Sequence, residues 1–180
     1  MRSAPGRCRP AALILLGALV CSTAASEGNP ADLLTLRVER GDAPAEALGG
    51  VLGAAPAIVT FWATYCVPCR AEVPILNRAA RRWRAQGVRV VGVAIDLNDA
   101  SNARRAARDW GIDYETYWPD KDQYDSTRRL LPRGLPSTFF TTPKATHRVD
   151  QMLTDESLDR LAAEHLGIQP SPPAGGQDAN

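Results

Sequence analysis

The sequence predicts an α/β sandwich with a mixed central sheet and helices on both faces. Residues 57–97 contain a strand pattern, a helix pattern and a second strand pattern, which is the order of a βαβ unit with a right-handed parallel crossover. Residues 137–153 instead predict a hairpin, whose strands are antiparallel. A chain that alternates strands and helices, and then adds a hairpin and a last helix, packs in layers around one sheet.

The predicted elements occupy one domain at residues 30–168 of the 180-residue chain. Apolar spacing and Gly, Pro and capping residues set the bounds. Strands are expected at 32–38, 57–62, 88–97, 114–118, 137–142 and 146–153, and helices from near Cys69 to Gln86, from Asp99 or Ser101 to Trp110, at 122–131 and from Thr154 to Leu166, with a helical turn at 45–48. The Pro-, Gly- and Gln-rich residues 169–180 are expected to form a disordered tail.

The composition is that of a globular domain, with 44% hydrophobic and 23% charged residues. The net charge of +1 argues against nucleic acid as a partner and against binding to a membrane through a basic surface.

Residues 1–25 are interpreted as a signal or leader segment. Three arginines among the first nine residues precede the apolar run 11–20, and small residues follow at 22–25. The apolar run is short for a membrane span. This pattern predicts export to the periplasm or cell envelope, an oxidising compartment in which an exposed dithiol stays reduced only if electrons are supplied.

Three fates of the leader remain open. Cleavage after Ala24 or Ala25 would leave Cys66 and Cys69 as the only cysteines of the mature chain. Lipid attachment to Cys21, or a leader that stays uncleaved, would instead attach the N-terminus to the membrane.

Cys66 and Cys69 are separated by two residues where the apolar run 57–62 changes into a helix pattern. The free N–H groups and the positive dipole end of a helix favour an anion such as a thiolate. Cys66, nearer the helix start, is therefore expected to be the more acidic and more accessible thiol, with Cys69 behind it. Such a pair is typical of a redox site, in which one thiolate attacks and the other resolves the mixed disulfide.

Other uses of the two cysteines fit the sequence less well. Structural zinc needs two further ligands, but Cys8 and Cys21 are in the leader, and His147 and His165 are distant and are interpreted as an exposed residue and a helix-face residue. Covalent haem needs a His after the second Cys, and Arg70 is there. A purely structural disulfide stays an alternative. No metal and no cofactor are expected.

Two segments resemble a known family. The segments Phe61–Thr64 (FWAT) and Cys66–Cys69 (CVPC), followed by Glu72 and Pro74, are similar to the thioredoxin-like thiol–disulfide oxidoreductases of the bacterial envelope (TlpA/ResA/CcmG type, within the redoxin or AhpC/TSA superfamily). Gly134–Phe140 resembles that family's second signature, a cis-proline that opens a strand. The resemblance covers roughly residues 30–168 and implies a thioredoxin-like fold.

The resemblance also implies a function. An envelope oxidoreductase of this type reduces disulfides in partner proteins during cytochrome c maturation, copper-site assembly or thiol repair. It receives electrons from a membrane donor and is expected to act as a monomer. Cys66 and Cys69 would form the redox disulfide, and the substrate-binding residues would be Trp62, Tyr65, Pro68, Leu135 and Pro136. Tyr65 departs from the family, which usually has Trp before the first Cys.

Glu72 is the third candidate catalytic residue. Resolution requires the Cys69 thiolate, so a nearby base would help. Thioredoxins usually carry a buried Asp at the position that Thr60 occupies here, and some envelope members carry a Glu that matches Glu72, one helical turn beyond Cys69. Glu72 is interpreted either as that base or as an acidic residue favoured in a first helical turn.

Two other functions on the same fold are the alternatives. A thiol peroxidase would need a Thr three residues before its reactive Cys, and Ala63 stands there before Cys66. Copper carriers of this fold typically have three residues between their cysteines and use a distant His, whereas this chain has two residues between them.

Overall fold

A computed structural model describes residues 29–41, 43–96 and 100–169. Within them the strands are β1 (Arg37–Glu39), β2 (Glu46–Ala47), β3 (Ala57–Trp62), β4 (Arg89–Ala94), β5 (Glu115–Pro119), β6 (Ser137–Thr141) and β7 (Thr146–Val149). The helices are α1 (Leu48–Leu52), α2 (Val67–Trp83), α3 (Ala100–Asp109), α4 (Tyr124–Leu130) and α5 (Asp155–Leu166), with 3-10 helices at Pro30–Thr35, Arg84–Gln86 and Lys121–Gln123. The leader 1–25, Asp99 and all but the first residue of the tail lie outside the described residues.

The seven strands form one mixed sheet in the order β2-β1-β5-β4-β3-β6-β7. β3 pairs parallel with β4 and antiparallel with β6, and all six of its residues are buried. Ala57, Val59 and Phe61 pack with α1 and α4 on one face, while Ile58 packs with α2 and α5 on the other. A continuous apolar strand is typical of burial on both faces, and the predicted α/β sandwich with a mixed sheet is confirmed.

Helix α2 carries the second cysteine and begins earlier than predicted, at Val67. Pro68 fits in the first turn because a first-turn N–H has no partner within the helix. The predicted apolar stripe is buried, as Leu76 and Trp83 show, and Gly87 ends the helical segment with a φ of 74°. The long helix thus presents its N-terminus at the end of β3.

Three arginines of α2 form ion pairs with aspartates of other elements. Arg78 pairs with Asp155 at 2.6 Å, Arg81 pairs with Asp113, and Arg82 pairs with Asp159. These pairs join α2 to α5 and to the segment before β5. Each exposed pair contributes only a modest stabilisation, about 0.2–1 kcal/mol.

The predicted strand at 32–38 is wrong over its first half. Pro30–Thr35 forms a 3-10 helix, in which the Asn29 side chain accepts a hydrogen bond from the Ala31 N–H, and β1 starts only at Arg37. Leu33 and Leu36 are both buried, at the three-residue spacing that a 3-10 turn brings to one side. The apolar residues of this segment therefore follow the three-residue period of a 3-10 helix and not the two-residue period of the predicted strand.

The later elements are shorter than predicted, or shifted by one to three residues. Ser101 lies inside α3 and is therefore not its cap. β7 stops at Val149 instead of Leu153. Thr154 caps α5 through the Ser157 N–H. The exposed His147 stacks on His165 with ring centroids 4.4 Å apart.

Candidate functional site

The redox pair is oxidised in the structure. Cys66 and Cys69 form a disulfide with their Cα atoms 5.3 Å apart. Cys66 is the N-cap of α2, and its Sγ accepts a hydrogen bond from the Cys69 N–H at 3.2 Å. The short turn from the end of β3 into α2 therefore places Cys66 at the helix N-terminus, where free N–H groups can stabilise a thiolate.

A surface groove distinguishes the two sulfurs. The groove has a volume of about 700 Å³, and Cys66 lines it whereas Cys69 does not. Both residues are largely buried, at 6% and 4% exposure, so access to the pair is through this groove. Cys69 lies deeper, with its Sγ 4.0 Å from the Phe61 carbonyl oxygen.

Four of the five predicted substrate-binding residues are in or beside the groove. Tyr65, Pro68 and Leu135 line it. Tyr65 is 72% exposed, whereas Leu135 packs against the cluster that contains both cysteines. The Leu135–Pro136 peptide bond is cis, and Pro136 directly precedes β6.

The fifth residue, Trp62, does not line the groove, and its contact with substrate stays a prediction. Trp62 is 2% exposed, packs with the two cysteines and lies 5.2 Å from Trp110, centroid to centroid. The pleat of β3 turns Trp62 to the face that α2 and α3 cover. Gly92 makes room for the indole, because a Cβ there would be 3.0 Å from Trp62 Nε1.

Asp96 is a site-supporting residue that the sequence analysis missed. Its two carboxylate oxygens each accept a hydrogen bond from the Thr64 N–H at 3.1 Å, and Oδ1 also accepts one from the Thr64 hydroxyl. Thr64 is two residues before Cys66, so Asp96 holds the turn that carries the cysteine. The position of Asp96 just after a buried strand parallel to β3 could have indicated this role, because neighbouring parallel strands end at the same edge of the sheet.

Glu72 is buried on α2, at 1% exposure. Its Oε1 accepts a hydrogen bond from the Leu153 N–H at 2.6 Å, and its buried Oε2 has no hydrogen-bond partner in the part of the chain that the structure describes. Burial raises the pKa of Glu72 from 4.5 to about 7, and the Leu153 hydrogen bond opposes this shift. A carboxyl group with this pKa can accept and release a proton near neutral pH.

Two neighbouring groups complete the polar surroundings of α2. The pKa of Tyr114 is raised, first by its burial and then by the charge of Glu72. Thr60, at the position where thioredoxins carry a buried Asp, is 2% exposed, and its Oγ1 is 3.4 Å from that of Thr138. Glu72 is thus the buried carboxylate on α2 itself.

The described residues give no sign of a metal centre or a membrane span. Over residues 29–41, 43–96 and 100–169, no three His, Cys, Asp or Glu side chains are grouped so as to hold a metal ion. In the same ranges, none of the helices has the length and apolar character that crossing a bilayer requires.

Comparison with known proteins agrees with the site geometry. The family model described as AhpC/TSA matches residues 38–147, more than half of the chain. The thiol:disulfide interchange protein DsbE of Pseudomonas fluorescens biotype C is 32% identical over 119 residues, which are 63% of this chain and 62% of that protein. The thiol-disulfide oxidoreductase ResA of Oceanobacillus iheyensis is 29% identical over 117 residues, 63% of this chain and 57% of that protein. The chain thus spans less than two thirds of the length of these curated relatives.

Solved structures share the fold. A secreted disulfide oxidoreductase of Mycobacterium tuberculosis superposes with a TM-score of 0.58 at 20% identity, covering 76% of this chain and 98% of that one. A DsbE-type thiol:disulfide interchange protein of Chlorobium tepidum gives a TM-score of 0.59 at 20% identity, with 74% and 95% covered. The thioredoxin-like architecture implied by the sequence segments is confirmed.

Proposed function

Since the chain belongs to the AhpC/TSA family, we propose that it is a thiol–disulfide oxidoreductase that reduces disulfides in partner proteins. The observation that carries this proposal is the Cys66–Cys69 disulfide at the N-terminus of α2, with Cys66 open to a groove and Cys69 behind it. The names of the relatives DsbE and ResA support the same reaction class.

The reaction moves two electrons from the dithiol to a partner disulfide. The Cys66 thiolate attacks one sulfur of the partner, forms a mixed disulfide and releases the first partner thiolate, which takes up a proton. The Cys69 thiolate then attacks the Cys66 sulfur, forms the intramolecular disulfide and releases the second partner thiolate. An external dithiol donor must reduce the pair again before the next turnover.

Glu72 is proposed to take the proton of the Cys69 thiol before the second attack. Burial disfavours a charged thiolate at Cys69, so a base close in the chain favours resolution. Glu72 follows Cys69 by three residues on the same helix, and its pKa of about 7 suits proton exchange at neutral pH. The same carboxyl would return the proton when the pair is reduced again.

The substrate is proposed to lie along the groove in an extended conformation. Tyr65, Pro68 and Leu135 line the groove together with Cys66. Leu135 lies just outside β6, so its backbone groups can pair with an extended partner segment as a short added strand. Pro136 supports this loop beside Cys66.

The central experiment measures reduction of insulin disulfides by the chain after its own reduction. Wild type is expected to reduce insulin and Cys66→Ser to lose essentially all of that activity, because the attacking sulfur is gone. Loss of free thiol in the enzyme should match the thiol gained by insulin. The proposal would be contradicted if the reduced wild type did not reduce insulin, or if Cys66→Ser kept the wild-type activity. Turnover of hydrogen peroxide faster than that of insulin would favour a peroxidase.

The proposed location is the periplasm or cell envelope, with residues 1–25 as the export leader, 30–168 as the thioredoxin-like domain and 169–180 as a tail. Disulfide-containing envelope proteins would be the partners, and a membrane protein would supply electrons to a monomeric enzyme. Mass spectrometry of the protein from its native host should find a chain that starts after Ala24 or Ala25, a lipid on Cys21, or an intact leader in the membrane fraction. An intact chain in the cytoplasm would exclude export.

A further inference from the structure

The groove beside Cys66 gathers most of the exposed apolar side chains of the described residues. Four large hydrophobic residues are exposed in the described part of the chain. Three of them line this groove: Tyr65 at 72%, Val67 at 79% and Tyr124 at 41%. The fourth is Met152. An apolar patch concentrated at one place on an otherwise polar surface marks a site of binding to another macromolecule.

Arg128 adds a positive charge to the same groove. It lies on α4 and lines the groove, and its Cζ is 5.7 Å from the centroid of the Tyr124 ring. Among the described residues no carboxylate forms an ion pair with Arg128. Three arginines of α2 differ, because Arg78, Arg81 and Arg82 each pair with an aspartate from another element.

We propose that the groove binds an extended segment of a partner polypeptide in which an acidic side chain lies near the reactive cysteine, and that Arg128 pairs with that carboxylate. This inference rests on the proposed function and names its substrate class. The groove has a volume of about 700 Å³ and is lined by the exposed Tyr65, Val67 and Tyr124 as well as by Cys66, which suits a polypeptide with apolar side chains better than a small disulfide. A guanidinium held against an aromatic ring is well placed for a directional pair with a carboxylate.

The location of Arg128 explains how charge could affect the reaction. Leu135 and Arg128 line the same groove as Cys66. A bound segment whose cysteine reacts with Cys66 can therefore bring its neighbouring side chains to α4. Arg128 then stabilises the bound segment without touching the reacting sulfurs. It is a specificity-determining residue that acts on binding, and the chemistry at Cys66 is unchanged.

The test uses three disulfide-linked peptides that differ only in having Glu, Gln or Lys two residues after the cysteine. Each rate with the reduced enzyme is divided by the rate of the same peptide with dithiothreitol, which removes differences in intrinsic reactivity. Wild type is expected to reduce the Glu peptide about 3- to 10-fold faster than the Gln peptide in kcat/KM, as one partly exposed charged hydrogen bond would allow, with the Lys peptide slowest.

The matched control is Arg129, the next residue on α4, which is also exposed and donates to the Ser126 hydroxyl at 3.2 Å but does not line the groove. Arg128→Gln should lose the preference for the Glu peptide through a higher KM, whereas Arg129→Gln should keep it. A wild type that shows no charge preference, or an equal loss in both variants, would overturn the inference.

Two small disulfides separate this inference from the proposed function. Neutral hydroxyethyl disulfide should be reduced equally by wild type and Arg129→Gln. If wild type reduces neither this disulfide nor insulin, the oxidoreductase assignment itself fails. Oxidised glutathione carries carboxylates but no extended chain, and its reduction is expected to depend little on Arg128. If its reduction depends on Arg128 more strongly than that of the Glu peptide, the groove is a small-thiol site and the polypeptide assignment is wrong.

Discussion

Cys69→Ser is expected to convert a transient mixed disulfide into a stable product. Cys66 can still attack the substrate, but without the second thiol nothing displaces the substrate from Cys66. The variant should therefore bind insulin, or the native partner, covalently, at up to one equivalent per chain. Non-reducing electrophoresis and mass spectrometry of the tryptic digest would detect the adduct and locate it at Cys66.

The reciprocal variant serves as the control. Cys66→Ser leaves Cys69, which is 4% exposed and does not line the groove, so its adduct should form at least about 100-fold more slowly if exposure and thiolate character govern attack. Dithiothreitol should release the adduct of Cys69→Ser in full. A faster adduct through Cys69 than through Cys66 would reverse the assignment of the two roles.

Glu72→Gln is expected to change how stability depends on pH. The pKa of Glu72 is raised from 4.5 to about 7 in the folded chain, so the folded state favours the protonated carboxyl. The resulting stabilisation is fully present below about pH 4.5 and is lost as the pH rises through about 7. With one pKa unit worth about 1.4 kcal/mol, the loss amounts to about 3 kcal/mol.

Guanidinium unfolding of the oxidised protein between pH 4.5 and 8.5 would measure this effect. As the pH rises over that range, the free energy of unfolding of the wild type should fall by about 3 kcal/mol more than that of Glu72→Gln. Gln carries no titrating proton but still accepts the hydrogen bond from the Leu153 N–H. Glu156→Gln, an exposed carboxylate in the first turn of α5, is the matched control and should follow the wild type. Parallel curves for wild type and Glu72→Gln would show that Glu72 does not titrate in this range.

The same substitution should slow turnover. If Glu72 accepts the Cys69 proton, Glu72→Gln lowers kcat by about 10²- to 10⁴-fold, the usual contribution of a general base. The defect should shrink at high pH, where the thiol ionises unaided. Mixed disulfide should accumulate during turnover, as it does in Cys69→Ser but transiently. Normal kcat from pH 5 to 9 would leave Glu72 with a structural role only, through its bond to Leu153.

The sequence alone determined the sheet centre, the redox pair and the family. The apolar run of β3 predicted a strand buried on both faces. The segment Cys66–Cys69, followed by Glu72 and Pro74, identified the family because all these residues are close together in the chain. Local signals of this kind depend on chain spacing, which the sequence displays directly. The 3-10 helix at Pro30–Thr35 differs from the predicted strand because a short apolar segment fits more than one period.

Only the tertiary structure decided the surroundings of these residues. Asp96 bonds to Thr64 across 32 positions, Leu153 donates to Glu72 across 81 positions, and Arg128 comes to the groove from α4. Trp62, which the family signature suggested as a binding residue, is turned inward by the strand pleat. Burial, and with it the raised pKa of Glu72, depends on which distant segments pack against a residue, so no pattern along the chain could supply it.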